Sequence, residues 1–144
     1  MNTNKFVVGG IIGGVVNFLL GWLVWGMLLM NFMKEHTTEV GKAVMRPDDN
    51  MIWWALIAGN LLWGFLLSYV LNKSGSNSFS SGATTAAVVS LLVAASYNCF
   101  IYAFQNTFDT TSMIVDIIAN SIVGGIVGGI IGWYLGRGKV VSDN

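Results

Sequence analysis

The chain has 144 residues, of which 54% are hydrophobic and only 10% are charged, and its formal net charge is zero. A typical soluble domain carries about 25% charged residues, so this composition indicates an integral membrane protein. The balanced charge gives no support for nucleic-acid binding. A single His and a single Cys leave little scope for a metal site or an intrachain disulfide. We expect one membrane domain over residues 1–144, with no cofactor.

The first apolar run covers about residues 6–33, which is too long for a signal-peptide core. Roughly 20 apolar residues cross a bilayer, so the run predicts a retained membrane span. Residues four positions apart lie on one face of this helix, and on one such face they are Gly9, Gly13, Asn17, Gly21 and Trp25. Small residues at this spacing are typical of close helix–helix packing in lipid. We therefore predict packing positions at Gly9, Gly13 and Gly21.

Residues 34–50 form the only long charged segment and are predicted to be an external loop. His36, Glu35 and Glu39 lie close together in this loop. Such a group could suggest a metal site, but three polar residues on one exposed loop are more simply a solvated surface. We therefore predict no metal ligands here.

Three further spans are predicted at about residues 51–71, 79–104 and 112–136, separated by short polar turns. Asp109 or Thr110 is expected to cap the last helix. Glycines recur at four-residue spacing in that helix, which predicts packing positions at Gly124, Gly128 and Gly132. The chain is thus predicted to be all-α, a bundle of four membrane-spanning helices.

Four spans place both termini on one side of the membrane. That side carries four basic residues, against three in the 34–50 loop: Lys5, Lys73, Arg137 and Lys139 against Lys34, Lys42 and Arg46. The positive-inside rule therefore favours cytoplasmic termini and an external 34–50 loop. The glycine rows of the first and fourth spans then lie at matching depth. We predict that these two spans pack on each other through their glycine faces, with self-association through the same groove as the alternative.

Each predicted span carries one asparagine on its small-residue row, and the fourth span also carries an acid: Asn17, Asn60, Asn98, Asn120 and Asp116. If the rows face inward, these side chains converge in the half of the bundle away from the termini. Interhelical amides can simply hold helices together, at about 0.6 kcal/mol each. Ionisable groups inside a membrane are also candidates for function by default. Both interpretations stay open.

Trp22, Trp25 and Trp63 could stack on a ligand or could pack between helices and lipid. The sequence shows no Ser/His/Asp set, no phosphate-binding loop and no metal-ligand spacing. An enzymatic function is therefore not predicted.

Two stretches carry a family resemblance, NFLLGWLVWG at Asn17–Gly26 and DIIANSIVGGIVGGIIGWYLG at Asp116–Gly136. With the four-span layout, they resemble a family of small bacterial four-helix membrane proteins of unknown function. The resemblance implies an inner-membrane location and no established activity. Small multidrug transporters are also four-helical but depend on a buried Glu in the first helix. No acid lies between Phe6 and Met33, which argues against that family.

We therefore expect a structural or accessory subunit of a membrane complex, or a homo-oligomer, with lipids and other membrane proteins as partners. The alternative is a transporter or binder of a small polar or lipid-like molecule that uses Asp116 and the asparagines. A polar cavity between the helices would favour the alternative.

Overall fold

The computed structural model describes residues 2–137, and Lys139 and the polar tail of the predicted topology lie outside them. The described chain is helical and contains no strand, only an isolated bridge between Thr37 and Phe108. Four helices are long and apolar enough to cross a membrane, which confirms the predicted all-α four-helix class. The helices are α1 (Thr3–Leu23, continued by a π-helical segment, Val24–Leu28), α2 (Met30–Glu35), α3 (Glu39–Val44), α4 (Trp53–Ser74), α5 (Phe79–Phe104) and α6 (Thr110–Gly136).

The first span is shorter than its apolar run suggested. The prediction extended it to Met33, but the long helix ends at Leu28 and α2 begins at Met30. The Leu29 amide donates to the Val24 carbonyl across 2.7 Å, which is the i to i+5 bond of a π-helix. This wider turn interrupts the α-helical ladder, so the last apolar residues form a separate short helix.

Local sequence explains the ends of the other long helices. Gly75 ends α4 with a φ of 70°, a left-handed conformation that glycine adopts without steric cost. Ser78 begins α5 with a capping box that includes Ser81. Asp109 caps α6 as predicted, because its Oδ1 accepts from the Ser112 amide at 2.8 Å.

The four long helices pack as two intimate pairs, α1 with α4 and α5 with α6. Helix α6 also contacts α1 and α4, whereas α4 and α5 touch each other only sparsely. The interior is a small apolar core in which Leu67 and Leu71 of α4 meet Val127 and Ile131 of α6, all fully buried. Helix α6 is therefore the central element of the bundle.

The glycine rows of α1 and α6 do not pack on each other, contrary to the prediction. On α1, a methyl group added at Gly13 would lie 3.1 Å from the Gly64 Cα of α4. On α6, one added at Gly128 would lie 2.7 Å from the Gly82 carbonyl oxygen of α5. The glycine row of α1 therefore packs against α4, and the glycine row of α6 packs against α5.

Helices α1 and α6 do meet within the chain, but by a different contact. The Ile131 side chain of α6 lies over Gly9 and Gly13 of α1. The glycines of α1 make room there for a branched side chain and not for a second glycine face.

Gly21 was wrongly predicted to be a packing position. A methyl group added there would meet nothing within 4 Å. The buried residues of α1 lie in its first half, from Gly9 to Gly14, and the buried residues of α4 lie in its second half, from Gly64 to Leu71.

Candidate functional site

Asp116 of α6 lies where side chains from three helices meet. Its Oδ1 accepts a hydrogen bond from the Trp25 indole nitrogen at 2.8 Å. Its Oδ2 accepts from the Asn98 amide at 2.8 Å and from the Asn120 amide at 3.1 Å. The carboxylate is therefore held in a fixed orientation by three N–H donors, all of which are neutral.

Trp25 lies at the irregular end of α1. Trp25 belongs to the π-helical segment Val24–Leu28, where the extra residue in the turn changes the direction of the following side chains. Single π-helical turns are costly and occur frequently at functional sites. This one contains Trp25, whose indole N–H donates to Asp116.

The other two predicted asparagines form a second hydrogen-bonded pair nearby. The Asn17 amide nitrogen of α1 donates to Asn60 Oδ1 of α4 across 2.7 Å. The Asn60 amide nitrogen in turn donates to the Leu56 carbonyl of its own helix at 2.8 Å. The structure thus places all five predicted polar residues in two adjoining groups.

The hydrogen bonds fix the orientation of these amides. Asn98 Nδ2 faces two acceptors, the Ala94 carbonyl and Asp116 Oδ2, and Asn120 Nδ2 likewise faces two oxygens of Asp116. Only a nitrogen can occupy such a position. The same logic orients Asn17, because Asn60 must turn its nitrogen towards the Leu56 carbonyl and its oxygen towards Asn17.

Three amide oxygens consequently accept no hydrogen bond within the described part of the chain. Among the described residues, no group donates to Oδ1 of Asn17, Asn98 or Asn120. They also keep accessible surface, since the unpartnered polar atoms that are fully buried in this part of the chain are Asn77 Oδ1 and Ser90 Oγ. The Trp25 indole N–H and the amide N–H groups of Asn98 and Asn120 are thus used within the protein, whereas three amide oxygens remain available.

A cavity of about 250 Å³ lies against this group. All four long spans contribute to its wall: Asn17, Trp25, Trp63, Val93, Ala94, Tyr97, Asn98, Asp116 and Asn120. On its α5 side the cavity reaches Val93 and Tyr97, which also border an apolar trough on the outer surface of that helix. The site is therefore open sideways, at the edge where α4 and α5 barely touch.

The charge of Asp116 has no counterion within residues 2–137. The ion pairs of the described chain are His36–Asp109 and Lys42–Glu39, both outside the spans. Hydrogen bonds from neutral donors orient a carboxylate but do not cancel its charge. As a carboxylate, Asp116 leaves one net negative charge beside the cavity.

The loop of residues 34–50 forms a separate polar region at the same end of the bundle. The Thr38 amide donates to the Thr107 carbonyl at 3.1 Å, and the Asp109 amide donates to the His36 carbonyl at 3.2 Å. His36 Nδ1 also pairs with Asp109 Oδ2 at 2.5 Å. These contacts fasten the 34–50 loop to the turn between α5 and α6.

Two carboxyl groups of this region have shifted pKa values. The Ser112 backbone N–H and then the His36 ring lower the pKa of Asp109, and Lys42 lowers the pKa of Glu39. His36 contacts Asp109 rather than Glu35 or Glu39, and the described residues contain no group of three or more His, Cys, Asp or Glu side chains placed to hold a metal.

Sequence reasoning did not identify Trp25 as a hydrogen-bond donor, nor Val93 and Tyr97 as cavity residues. Trp25 shares the four-residue row of Asn17, so its helix face was visible in the sequence. Its contact with α6 was not, because that contact depends on how α1 and α6 lie against each other. Trp63 lines the cavity with it, whereas Trp22 is 62% exposed and points away.

Comparison of the chain with protein-family models, with curated proteins and with solved structures gave no match. The resemblance to small bacterial four-helix membrane proteins therefore stays a prediction.

Proposed function

We propose that the protein binds a small polar molecule in the membrane, at the cavity around Asp116, as a carrier or a receptor for it. The observation that carries this proposal is the convergence of polar side chains from three spans on a cavity of about 250 Å³, beside a carboxyl group that has no counterion among the described residues. Ionisable groups in membrane spans are rare and mark ligand or ion pathways.

A purely structural role accounts for less of this geometry. Helix-joining amides explain the bonds made by the Asn nitrogens, at about 0.6 kcal/mol each. They do not require three unpartnered oxygens or an open cavity, because a structural cluster is more stable when it is dry and fully satisfied. The cavity is what distinguishes a binding site from packing.

A role as a subunit of an oligomer or a larger complex is a second candidate, and the first half of α4 favours it. This half is exposed on most faces, with Trp54 75% and Leu62 69% exposed, and Gly59 there has no neighbour within 4 Å. Lipid or another helix must cover it. Counting subunits by single-molecule photobleaching in nanodiscs tests this candidate, and a monomer would argue against self-association.

We also propose a bacterial inner-membrane location with cytoplasmic termini, supported by the four apolar spans and the basic residues at the termini. Reporter fusions after Asn144 and within the 34–50 loop test the orientation. A C-terminal reporter that is active only outside the cytoplasm would reverse it.

Thiol labelling tests the binding function without knowledge of the natural ligand. Val93→Cys, in a Cys99→Ala background, places a thiol on the cavity wall with little change in side-chain size. Two methanethiosulfonate reagents are compared, one carrying a trimethylammonium group and one carrying a sulfonate. Val88→Cys is the matched control, because Val88 is an exposed residue of the same helix and lies outside the cavity.

The labelling rate of each reagent is divided by its rate with a free thiol in solution. We expect this relative rate at Val93→Cys to be about tenfold higher for the cationic reagent than for the anionic one, because a nearby carboxylate attracts one charge and repels the other. Adding Asp116→Asn should abolish this preference. Labelling of Val93→Cys that is as slow as that of Val88→Cys, or that shows no charge preference, would contradict the proposal.

A further inference from the structure

The free groups of the cavity select for hydrogen-bond donors and positive charge. Asn17, Asn98 and Asn120 each have an oxygen without a donor, and Asp116 adds a carboxyl group that has no counterion among the described residues. An anionic ligand would lie beside the Asp116 carboxyl group and the three free amide oxygens, with the Trp63 indole N–H and the Tyr97 hydroxyl as donors of the wall that have no partner among the described residues. A ligand that carries N–H donors and a positive charge satisfies all four residues.

The size of the cavity argues against a bare metal ion. A water molecule has a share of about 30 Å³ in the liquid, so about 250 Å³ corresponds to roughly eight waters. A metal ion needs its oxygens at about 2.0–2.6 Å from one point, and the described residues contain no metal-binding group of acids, His and Cys. An organic ion fills the volume and reaches more widely spaced oxygens.

The remaining walls suit the apolar part of such a ligand. Trp25, Trp63 and Tyr97 line the cavity, and aromatic rings attract cations over their faces within about 6 Å. These rings also offer apolar surface to carbon atoms. An ammonium group attached to carbon therefore matches the wall better than a hydrated inorganic ion.

The opening of the cavity leads to an apolar surface. Val93 and Tyr97 border both the cavity and the trough on the outside of α5, whose other residues are Leu92, Ser96 and Phe100. In a membrane this trough faces the acyl chains. A ligand lying through the opening would place its polar end at Asp116 and its apolar end in the lipid-facing trough.

From these features we infer that the ligand is a primary or secondary organic ammonium ion with an apolar chain, which enters from the lipid beside Val93 and Tyr97. This inference rests on the proposed function and specifies its ligand class. The ammonium group binds the Asp116 carboxylate and the free amide oxygens, and the chain lies along α5.

Isothermal titration calorimetry in lipid nanodiscs tests the ligand class, with empty nanodiscs as the reference for partitioning into lipid. The probes are butylammonium and butan-1-ol, which have similar size but differ in charge. We expect butylammonium to bind about tenfold more tightly, as a charge-assisted hydrogen bond is stronger than a neutral one. Asp116→Asn should remove this preference.

Decylammonium tests the route through the trough. Ser96→Trp fills the trough from a position that does not line the cavity. It should weaken decylammonium binding about tenfold while leaving butylammonium unchanged. Cys99→Trp is the matched control, because Cys99 is an exposed residue of the same helix outside the trough. It should leave both probes unchanged.

The outcomes separate this inference from the proposed function. Equal binding of butylammonium and butan-1-ol would overturn the ammonium class while binding in the cavity stands. Equal effects of Ser96→Trp and Cys99→Trp on decylammonium would overturn the lipid-facing route. Failure of butylammonium to bind at all would overturn the inference, whereas the proposed function is judged by the charge preference of thiol labelling.

Discussion

The contact between α1 and α4 is closest at Gly64, and Gly64→Ala tests how much stability depends on it. A methyl group at this position would lie 2.8 Å from the Gly14 Cα, and it would come closer still to the Gly14 nitrogen and the Gly10 carbonyl oxygen. All three obstacles are backbone atoms of α1. No side chain can rotate away, so the two helices must separate.

The expected cost follows from this geometry. Ordinary contacts of a Cβ atom begin at 3.4 Å, so the Gly14 Cα alone requires a displacement of about 0.6 Å and the nearer atoms require more. Overpacking of this kind costs about 2–3 kcal/mol when the neighbours cannot yield. Replacing a helical glycine by alanine recovers about 0.5–1 kcal/mol. We expect Gly64→Ala to reduce the free energy of unfolding by about 1–2 kcal/mol.

Gly21→Ala on the facing helix is the matched control. Its methyl group would meet nothing within 4 Å, so only the gain in helix propensity remains, and we expect a stabilisation of about 0.5–1 kcal/mol. Both variants are measured by reversible unfolding in mixed SDS micelles, followed by circular dichroism. The reasoning would be refuted if Gly64→Ala were as stable as Gly21→Ala.

Three further predictions concern the polar groups. Trp25→Phe removes the indole donor to Asp116 and should cost about 1–3 kcal/mol of stability, whereas Trp22→Phe, at an exposed position, should cost nothing measurable in the same unfolding assay. The pKa of Asp109 is lowered in the folded state, so its stabilising effect is present above its ordinary pKa of 3.8 and is lost as pH falls through the folded value. In Asp109→Asn, the melting temperature should therefore fall less steeply on acidification below about pH 4 than in the unsubstituted protein. An unchanged pH dependence of the melting temperature would contradict a stabilising role of the Asp109 carboxylate. Lys5 donates to the Leu135 and Arg137 carbonyls at 2.9 and 2.7 Å. Lys5→Met should therefore lower the free energy of unfolding by about 0.3–1 kcal/mol. An unchanged unfolding curve would show that the carbonyls at the end of α6 do not need Lys5 as a donor.

Much of the fold was predictable because the membrane restricts the choices. Lipid cannot satisfy free backbone groups, so long apolar segments must be helices, and the chain has four of them. The N-cap of α6 was also predictable, since Asp109 precedes the helix at the position where a carboxylate accepts its first amides. The break after Leu28 was not, because the run from Leu29 to Met33 stays apolar apart from Asn31.

The candidate site was predictable as a set of residues but not as an arrangement. Asn17, Asn60, Asn98, Asn120 and Asp116 stand out in the sequence because polar side chains are costly in lipid and must face one another. Their division into an Asn17–Asn60 pair and an Asp116 group depends on which helices are neighbours. The cavity depends on the sparse contact between α4 and α5, which leaves no trace in either helix alone.

The sequence by itself determined the class of the protein, the number of spans and the polar residues inside them, because hydropathy and helical spacing are local properties of the chain. The tertiary structure decided the pairing of the helices. A glycine row permits close approach to any helix, so the partner is decided by which other helix also has small residues at the contact. Gly64 and Ser68 of α4 lie opposite α1, and Gly82, Ala86 and Ser90 of α5 lie opposite α6. The direction of Trp25 and the free amide oxygens likewise exist only once those pairs have formed.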